Sequence, residues 1–326
     1  MTFAMWRGVV LSLALGIFCS AAPAQDAGVQ LTTSAAAERA FTRAAPRPGW
    51  VDVQPVTRAG KAHGPYSIAL SDVQIHLDAQ RAVYMRRAIE VHDATALQAV
   101  GRIDIDFMPD FQTLDLHGVT VLRDGQRLDR LRQAQVRFLQ RETGLDQGIY
   151  TGAVTANLVV ADLRVGDVLD IDYTVGGSNP VMGGKFFYST GWDSSAYTGR
   201  RRVVLDTPDT RIIAMRLVGQ DDRPAPPQRS ERRNGRTRLT IDSTSQAAYL
   251  AENFVPPEAH AYRWLQFSEM TSWNEVSRWA VDLFPQAATG PLFEALLEQI
   301  RAAGTLEQQV VKALTFLQSE VRYLSV

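Results

Sequence analysis

The stretch that decides the fold is RIDIDFMPDFQTLDLHGVTVLRDGQRLDRL, residues 102–131. Apolar side chains alternate with polar ones along it, beginning with Ile103 and Ile105. A period of two residues places alternate side chains on opposite faces of a β-strand. The pair Asp124-Gly125 fits a two-residue hairpin turn, because both residue types tolerate positive φ angles. The stretch therefore predicts antiparallel strands joined by a tight hairpin.

Similar short segments lie on both sides of this stretch, separated by turns rich in Gly, Asp and Asn. With it they make around ten strands, and the other segments are 73–77, 158–160, 168–175, 202–205, 212–217 and 238–241. Short strands at this spacing are typical of a sandwich. The predicted fold class is mainly β, an antiparallel β-sandwich domain followed by an α-helical segment.

The hydrophobic period changes to about 3.6 residues after the last of these strands. Ser272 and Glu275 fit a capping box, Pro291 fits a first helical turn, and Thr305 and Gln308 fit a second capping box. Three helices are therefore predicted. The third carries an apolar stripe made of Val310, Leu314, Leu317 and Val321.

The N-terminal residues have the pattern of a cleaved secretory signal. Arg7 supplies a positive charge, residues 9–18 are apolar, and Ala-Pro-Ala at residues 22–24 is a small-x-small cleavage site. The apolar run is shorter than the roughly 20 residues that a membrane span needs. We expect residues 1–24 to be removed, no stable transmembrane segment after cleavage, and a periplasmic or secreted chain that begins at Gln25.

Composition excludes several classes of protein. The only cysteine is Cys19, which would leave with the signal peptide, so the mature chain would have no disulfide and no thiolate. Removing Arg7 leaves 33 basic against 35 acidic side chains, a net charge of −2. A nucleic-acid binder would carry a basic footprint that this chain lacks. No nucleic-acid partner is expected.

Changes in pattern divide the chain into four parts. Residues 1–24 are the signal peptide, and residues 25–48, without a clear period, are expected to form a flexible lead-in. Residues 49–255 form the predicted β-sandwich. Residues 256–326 form a linker followed by the helices.

The segments that could form a cofactor-binding or metal-binding motif do not have the residues or the spacing that such motifs need. The glycine-rich segment 176–187 has Asn179 where a phosphate-binding loop needs its first glycine, and Phe186 where it needs Ser or Thr. The histidines show no metal-ligand spacing; they are His63, His76, His92, His117 and His260. We therefore predict no catalytic, cofactor-binding or metal-binding residues in this chain.

Two pairs of carboxylates could act as a site, but they fit an exposed strand face better. Asp104 and Asp106, like Asp170 and Asp172, are two residues apart and share one face of a strand. Such pairs could bind calcium or serve as an acid and a base. Alternation with apolar neighbours is what a half-buried strand produces, so we expect all four to face solvent.

An aromatic cluster between Phe186 and Tyr197 allows two interpretations. It could stack on sugars, which would make the chain a carbohydrate- or peptide-binding module. More often such a cluster packs inside a sandwich or between domains. The sequence leaves both open and favours packing.

Three stretches resemble a known family. Residues 102–131 and DLRVGDVLDIDYTVGGSNPVMGGKFF, residues 162–187, resemble an exported bacterial domain of unknown function, DUF3857, that precedes transglutaminase-like cores. YRWLQFSEMTSWNEVSRWAVDLF, residues 262–284, resembles the junction into such a core. The resemblance covers nearly the whole chain after residue 48.

The resemblance implies a domain without its own catalytic residues. Transglutaminase-like cores act through Cys, His and Asp, which follow a Val-Arg-Tyr strand like the one at residues 321–323, and no residue here matches them. We expect a non-catalytic exported domain that positions such a core or binds an unknown protein, peptide or cell-envelope ligand. The alternative is a truncated form of a secreted transglutaminase- or protease-like enzyme.

Overall fold

A computed structural model describes residues 34–58, 64–140, 152–219, 223–250, 262–284 and 290–321. In chain order the elements are α1 Ser34–Arg39, β1 Phe41–Arg43, β2 Tyr66–Leu77, β3 Arg81–Val91, α2 Leu97–Gly101, β4 Arg102–Phe107, β5 Thr113–Arg123, β6 Gln126–Asp129, β7 Gln135–Gln140, β8 Val154–Val159, β9 Val168–Gly176, β10 Phe187–Gly191, β11 Thr198–Pro208, β12 Ala214–Val218, β13 Gln228–Arg233, β14 Arg236–Gln246, β15 Trp264–Ser268, α3 Trp273–Leu283, α4 Pro291–Arg301 and α5 Leu306–Glu320. The chain is mainly β with helices at its C-terminal end, as predicted.

A large sheet forms the centre of the domain. Its strand order is β1-β5-β9-β3-β2-β11-β14-β13, with β6 paired to β5. Most neighbours are antiparallel, but β1 pairs with β5 and β11 pairs with β2 in parallel. The sheet is therefore mixed rather than purely antiparallel.

Two three-stranded sheets cover one face of the large sheet side by side. The sheet β4-β8-β7 closes a core that contains Phe107 and Ile89, and the sheet β10-β15-β12 closes another that contains Phe267 and Val83. Val83 and Ile89 are six residues apart on β3, so their side chains point to the same face. The two small sheets thus lie on the same side, with a gap between them.

The hairpin predicted at Asp124-Gly125 is confirmed. It joins β5 to β6, and the two residues have φ angles of 50° and 79°. Positive φ at both central positions is the geometry that brings two twisted antiparallel strands together.

Alternation failed to predict strand β3, which lies at the centre of the large sheet. On this strand Tyr84, Arg86 and Ala88 are buried on one face, while Val83 and Ile89 are buried on the other. A strand covered on both faces has no polar side to alternate with. The shorter strands β7, β10, β13 and β15 were also missed.

Part of the expected flexible lead-in is folded. Residues 34–39 form α1, and residues 41–43 form β1, which pairs with β5. Ala37 is fully buried in the core beneath β4-β8-β7. Its small apolar side chain packs against core residues distant in sequence, a contact that residue patterns alone do not show.

The sandwich extends beyond the expected boundary at residue 255. Strand β15 is the central strand of its small sheet and pairs with both β10 and β12. Leu265 and Phe267 from β15 are buried. Because both partners precede residue 255, the sheet forms only when residues of the predicted linker return to it as β15.

Each C-terminal helix begins near its predicted cap. Ser272 accepts a hydrogen bond from the Glu275 N–H, and the Thr305–Gln308 capping box is complete. None of the described residues of α3, α4 and α5 is buried. Their exposed large apolar side chains are Trp273, Val281, Leu283, Leu292, Leu306, Val310, Val311, Leu314 and Leu317.

We expect limited trypsin digestion to cut first at the exposed basic residues of the helices, such as Arg301 and Lys312. Helices with so little buried surface open locally at low cost in free energy. Mass spectrometry should find an early fragment that retains the sheets through β15. Helices that survive as long as the strands would contradict this expectation.

Candidate functional site in the cleft between the small sheets

A cleft of about 340 Å³ lies where the gap between the two small sheets exposes the large sheet. Strands β2, β3, β9 and β11 form its floor. Residues of α2 and β4 form one wall, and Thr190 of β10 contributes to the other. Ligand sites commonly have volumes of about 300–1,000 Å³. The cleft is therefore large enough for a small ligand.

Two arginines stand on the floor of this cleft. In the strand register Arg87 of β3 pairs with Ser71 of β2, and Ser71 pairs with Arg201 of β11. Adjacent strands are about 4.8 Å apart, so the two arginine backbones are about 10 Å apart on one face. The cleft therefore has two neighbouring positive charges.

Arg201 is buried and held by neutral oxygens. Its guanidinium donates to the Ser71 hydroxyl at 3.1 Å, the Thr190 hydroxyl at 3.0 Å and the Gly191 carbonyl at 2.6 Å, and it lies over the ring of Trp192. Burial, with a smaller contribution from the positive charge of Arg87, lowers the pKa of Arg201 to about 10. Arg201 fastens β10 to the large sheet without a carboxylate partner in the described part of the chain.

Arg87 is exposed in the cleft. Within the described ranges its guanidinium makes no hydrogen bond or ion pair. The nearby Arg102 and Asp104 form their own pair at the rim, with 3.7 Å between Arg102 Nε and Asp104 Oδ1. The planar guanidinium group of Arg87, with its fork of N–H donors, is therefore available to a ligand.

Apolar side chains complete the floor around the two arginines. They include Val73, Met85 and Ile171. The hydroxyl of Tyr173 donates to the sulfur of Met85 at 3.1 Å, and burial raises the pKa of that hydroxyl, so it remains protonated at neutral pH. The cleft thus combines a positive centre with apolar surroundings.

The opposite face of the large sheet has a buried ion-pair network instead of a cleft. Asp170 binds Arg86 with two hydrogen bonds of 2.8 Å, and Asp172 accepts a hydrogen bond from Arg47 at 2.9 Å. The exposed fractions of Asp170 and Asp172 are only 4% and 2%. The prediction that this pair faces solvent is wrong, because a covering segment buries this face and supplies Arg47 to Asp172, while the neighbouring strand β3 supplies Arg86 to Asp170.

The covering segment is residues 44–58, called here the N-terminal strap. The ring of Trp50 stacks on His76 at 5.0 Å, and the backbone N–H of Asp52 donates to the side chain of Gln74. Near its end, Arg58 forms an ion pair with Glu90 at 2.9 Å. The strap therefore crosses several strands and covers the polar face of the sheet.

Asp104 and Asp106 are exposed, as predicted. Asp106 accepts a hydrogen bond from Thr155 at 2.6 Å, and Asp104 accepts one from Asn157. In the described ranges no three His, Cys, Asp or Glu side chains come close enough together to hold a metal ion. These two carboxylates are linked to the neighbouring strand.

The comparison with protein families identifies the domain. Residues 78–249, more than half of the chain, match DUF3857, a domain of unknown function with a solved structure. The chain belongs to the DUF3857 family. No curated protein matches this DUF3857 chain.

One solved structure shares part of the DUF3857 fold, and two others align with low scores. A protein from Parabacteroides distasonis, described as a "putative protease", aligns with a TM-score of 0.56 and 17% identity over 64% of this chain and 41% of that chain. The M1 zinc metallopeptidase of Deinococcus radiodurans has a TM-score of 0.31 and 12% identity, covering 62% of this chain and 42% of its own. Leukotriene A4 hydrolase of Saccharomyces cerevisiae has a TM-score of 0.31 and 10% identity, covering 62% of this chain and 29% of its own.

Only the comparison with the Parabacteroides protein supports the fold, and it supports nothing beyond the fold. The Parabacteroides protein is below 25% identity, and the other two proteins have TM-scores below 0.5. This DUF3857 chain spans less than half the length of each of the three.

The aromatic cluster between residues 186 and 197 belongs mainly to the core of the DUF3857 domain. Phe186 and Trp192 are 4% and 2% exposed, and both pack with residues of β15 and the large sheet. Tyr188 is half-buried against the same core, and burial raises the pKa of its hydroxyl to about 12. The interpretation as packing is confirmed for these three rings, and they offer no open platform for a sugar.

Sequence reasoning missed both arginines of the cleft in this DUF3857 chain. The segments MRRAIE and GRRRVV could have indicated the site, since two or three consecutive arginines are unusual in strands that are otherwise apolar. Their position on one face could not be recognised, because β3 was not predicted and the parallel pairing of β2 with β11 joins residues about 130 apart.

In the part of the chain that the structure describes, no helix has the length and apolar character needed to cross a membrane.

Proposed function

We propose that this chain is an exported, non-catalytic DUF3857 domain that positions a transglutaminase-like catalytic core. The single observation that carries the proposal is the apolar surface of helices α3–α5, which the described part of the domain leaves uncovered. The similarity of residues 262–284 to the junction that leads into such cores supports the choice of partner.

Helix α3 is attached to the sandwich at its apolar side. The Trp279 indole N–H donates to the Val181 carbonyl at 2.9 Å. Just before the helix, Glu269 binds Arg211 and accepts a hydrogen bond from the Phe186 N–H. These contacts fix the start of α3 on the sandwich, so a core docked on the helices could be held in a fixed orientation.

Helix α5 offers the largest apolar stripe. Val310, Leu314 and Leu317 recur at helical spacing and are 50–55% exposed. Burying one such side chain stabilises a structure by about 1.5–3 kcal/mol. A stripe of this kind is the usual face by which an amphipathic helix packs on a core. The occupant we infer is the catalytic part of the transglutaminase-like domain.

The proposal that the sandwich holds the core while the core carries out catalysis agrees with the cysteine content of the sequence. Transglutaminase-like catalysis needs an activated thiolate. The only cysteine of this chain is Cys19, inside the predicted signal peptide. The thiol would therefore come from the core, and the sandwich would hold it. Export follows from the signal-peptide pattern at residues 1–24.

Hydrogen exchange tests the proposal. A transglutaminase-like domain encoded downstream or nearby in the source genome is added to the mature chain. Amide exchange in α3–α5 should slow at least tenfold, because docking covers the stripe, while exchange in the large sheet stays unchanged. As a matched control, Leu314→Asp should remove the slowing, whereas Lys312→Gln on the same helix should retain it.

Two results would contradict the proposal. One is unchanged exchange in α3–α5 when the core is added. The other is the absence of any transglutaminase-like coding sequence near the gene. A continuous reading frame into such a core would favour the alternative in which this chain is part of a larger secreted enzyme.

A further inference from the structure

We infer that the cleft between the small sheets binds the carboxylate of a small organic acid with an apolar body, such as the free C-terminus of a short peptide. The observations that point to this ligand are two positive charges without a carboxylate partner in the described chain, apolar side chains around them, and a volume suited to a small molecule.

The acids around the cleft balance its charge only in part. Asp104 at the rim is paired with Arg102, and Asp106, whose charge reaches Tyr173, accepts a hydrogen bond from Thr155. Asp72, whose backbone borders the cleft, is held by Arg202 at 3.1 Å on the opposite face, and its charge offsets part of the charge of Arg201. Arg201 and Arg87 therefore retain their positive charges together, although like charges at this separation repel each other.

Burying Arg201 without a carboxylate costs free energy, and a simple structural role does not require the second cation beside it. A serine or an apolar residue at the position of Arg87 would complete the floor of the cleft at lower cost in free energy. An anion placed between Arg87 and Arg201 removes the repulsion and reduces the cost of burial. The arrangement is most stable with such an anion present.

The geometry favours a planar, singly charged group. The guanidinium of Arg201 already donates to five neutral oxygens, so it contributes mainly its positive field. Arg87 has its planar fork free, and that fork matches the two oxygens of a carboxylate. Phosphate carries more charge and is usually bound by several free donors, which the described residues do not provide here.

The remaining surface of the cleft favours a ligand whose atoms next to the carboxylate are apolar. Met85, Val73 and Ile171 lie on the floor, and Ile103 lies on the wall. These side chains would cover aliphatic or aromatic atoms next to the carboxylate. A volume of about 340 Å³ fits a ligand at the small end of the usual range.

This inference goes beyond the proposed function and does not depend on it. It concerns one face of the sandwich, whereas the proposed core docks on the C-terminal helices. Binding by the isolated mature chain therefore tests the cleft alone.

Isothermal titration calorimetry of the mature chain at low salt provides the experiment. The probes are N-acetyl-alanyl-phenylalanine as the free acid, the same dipeptide as its amide, octanoate and inorganic phosphate. We expect the free acid to bind saturably and the amide to bind at least tenfold more weakly. Octanoate distinguishes a fatty-acyl source of the carboxylate from a peptide source, and binding of either acid supports the proposal.

Charge variants place the binding in the cleft. Arg87→Gln should weaken binding of the acid at least tenfold, and Arg87→Lys should retain part of it, since Lys keeps the charge but loses the fork. Arg127→Gln, at another exposed arginine in the hairpin strand β6, should leave binding unchanged. Thermal melting of each variant checks that it is folded.

Four outcomes would overturn the inference. Three are the absence of binding by either acid at millimolar concentration, equal binding of the acid and the amide, and unchanged binding in Arg87→Gln. Phosphate that binds as tightly as the acids would also overturn it, because the apolar body would then have no role.

Discussion

Replacing Asp170 by Ala should lower the free energy of unfolding by about 3–5 kcal/mol, a loss measurable by urea denaturation. The reason is that the substitution leaves the positive charge of Arg86 buried without its carboxylate partner. Arg86 is 6% exposed and donates two hydrogen bonds of 2.8 Å to Asp170. Burial opposes the charge of Arg86, but its bonds to Asp170 outweigh that effect and raise the pKa of Arg86. Without Asp170 the buried guanidinium would lose its carboxylate partner.

Two further variants separate charge from packing. Asp106→Asn, at an exposed carboxylate, should change stability by no more than about 0.5 kcal/mol. The double variant Asp170→Leu with Arg86→Met should recover much of the loss, since replacing both members of a buried pair by apolar residues is often nearly neutral. A loss in Asp170→Ala no larger than in Asp106→Asn would show that the pair contributes little.

Trp192→Ala should lower the free energy of unfolding by about 3–5 kcal/mol, because it removes one of the largest side chains of the core. Trp192 is 2% exposed and packs beneath the sheet β10-β15-β12. Its ring also lies 5.9 Å from the guanidinium carbon of Arg201. Thermal and urea unfolding monitored by circular dichroism measure the effect.

Trp273→Ala is the matched control. Trp273 begins α3 and is 86% exposed, so its removal should change stability by no more than about 0.5 kcal/mol. Equal effects of the two substitutions would contradict the assignment of Trp192 to the core. A Trp192→Ala variant of normal stability that loses binding to a sugar would instead support the carbohydrate-binding alternative.

The site was less predictable than the fold for a physical reason. Arg87 and Arg201 meet because β3, β2 and β11 are neighbours in the large sheet. The segments that supply Arg201 and Ser71 are about 130 residues apart, and nothing local to either specifies the other. Neither arginine lay on a predicted strand, and only the strand order of the structure shows that both lie on one floor.

The sequence by itself determined the features that depend on neighbours along the chain. Alternation predicted β4, β5 and β9, the pair Asp124-Gly125 predicted a hairpin, and Thr305 with Gln308 predicted the start of α5. Each of these depends on interactions within a few residues, such as side-chain period, φ preference and capping hydrogen bonds. They are therefore encoded locally.

Only the tertiary structure decided which polar side chains are buried. Asp104 and Asp170 both occupy alternating strand patterns, yet Asp104 is exposed and Asp170 is 4% exposed. The difference arises because the N-terminal strap covers the face that carries Asp170, and Arg86 supplies its counter-charge from another strand. Whether a strand face meets solvent or a covering segment depends on contacts distant in sequence, so the local pattern is the same in both cases.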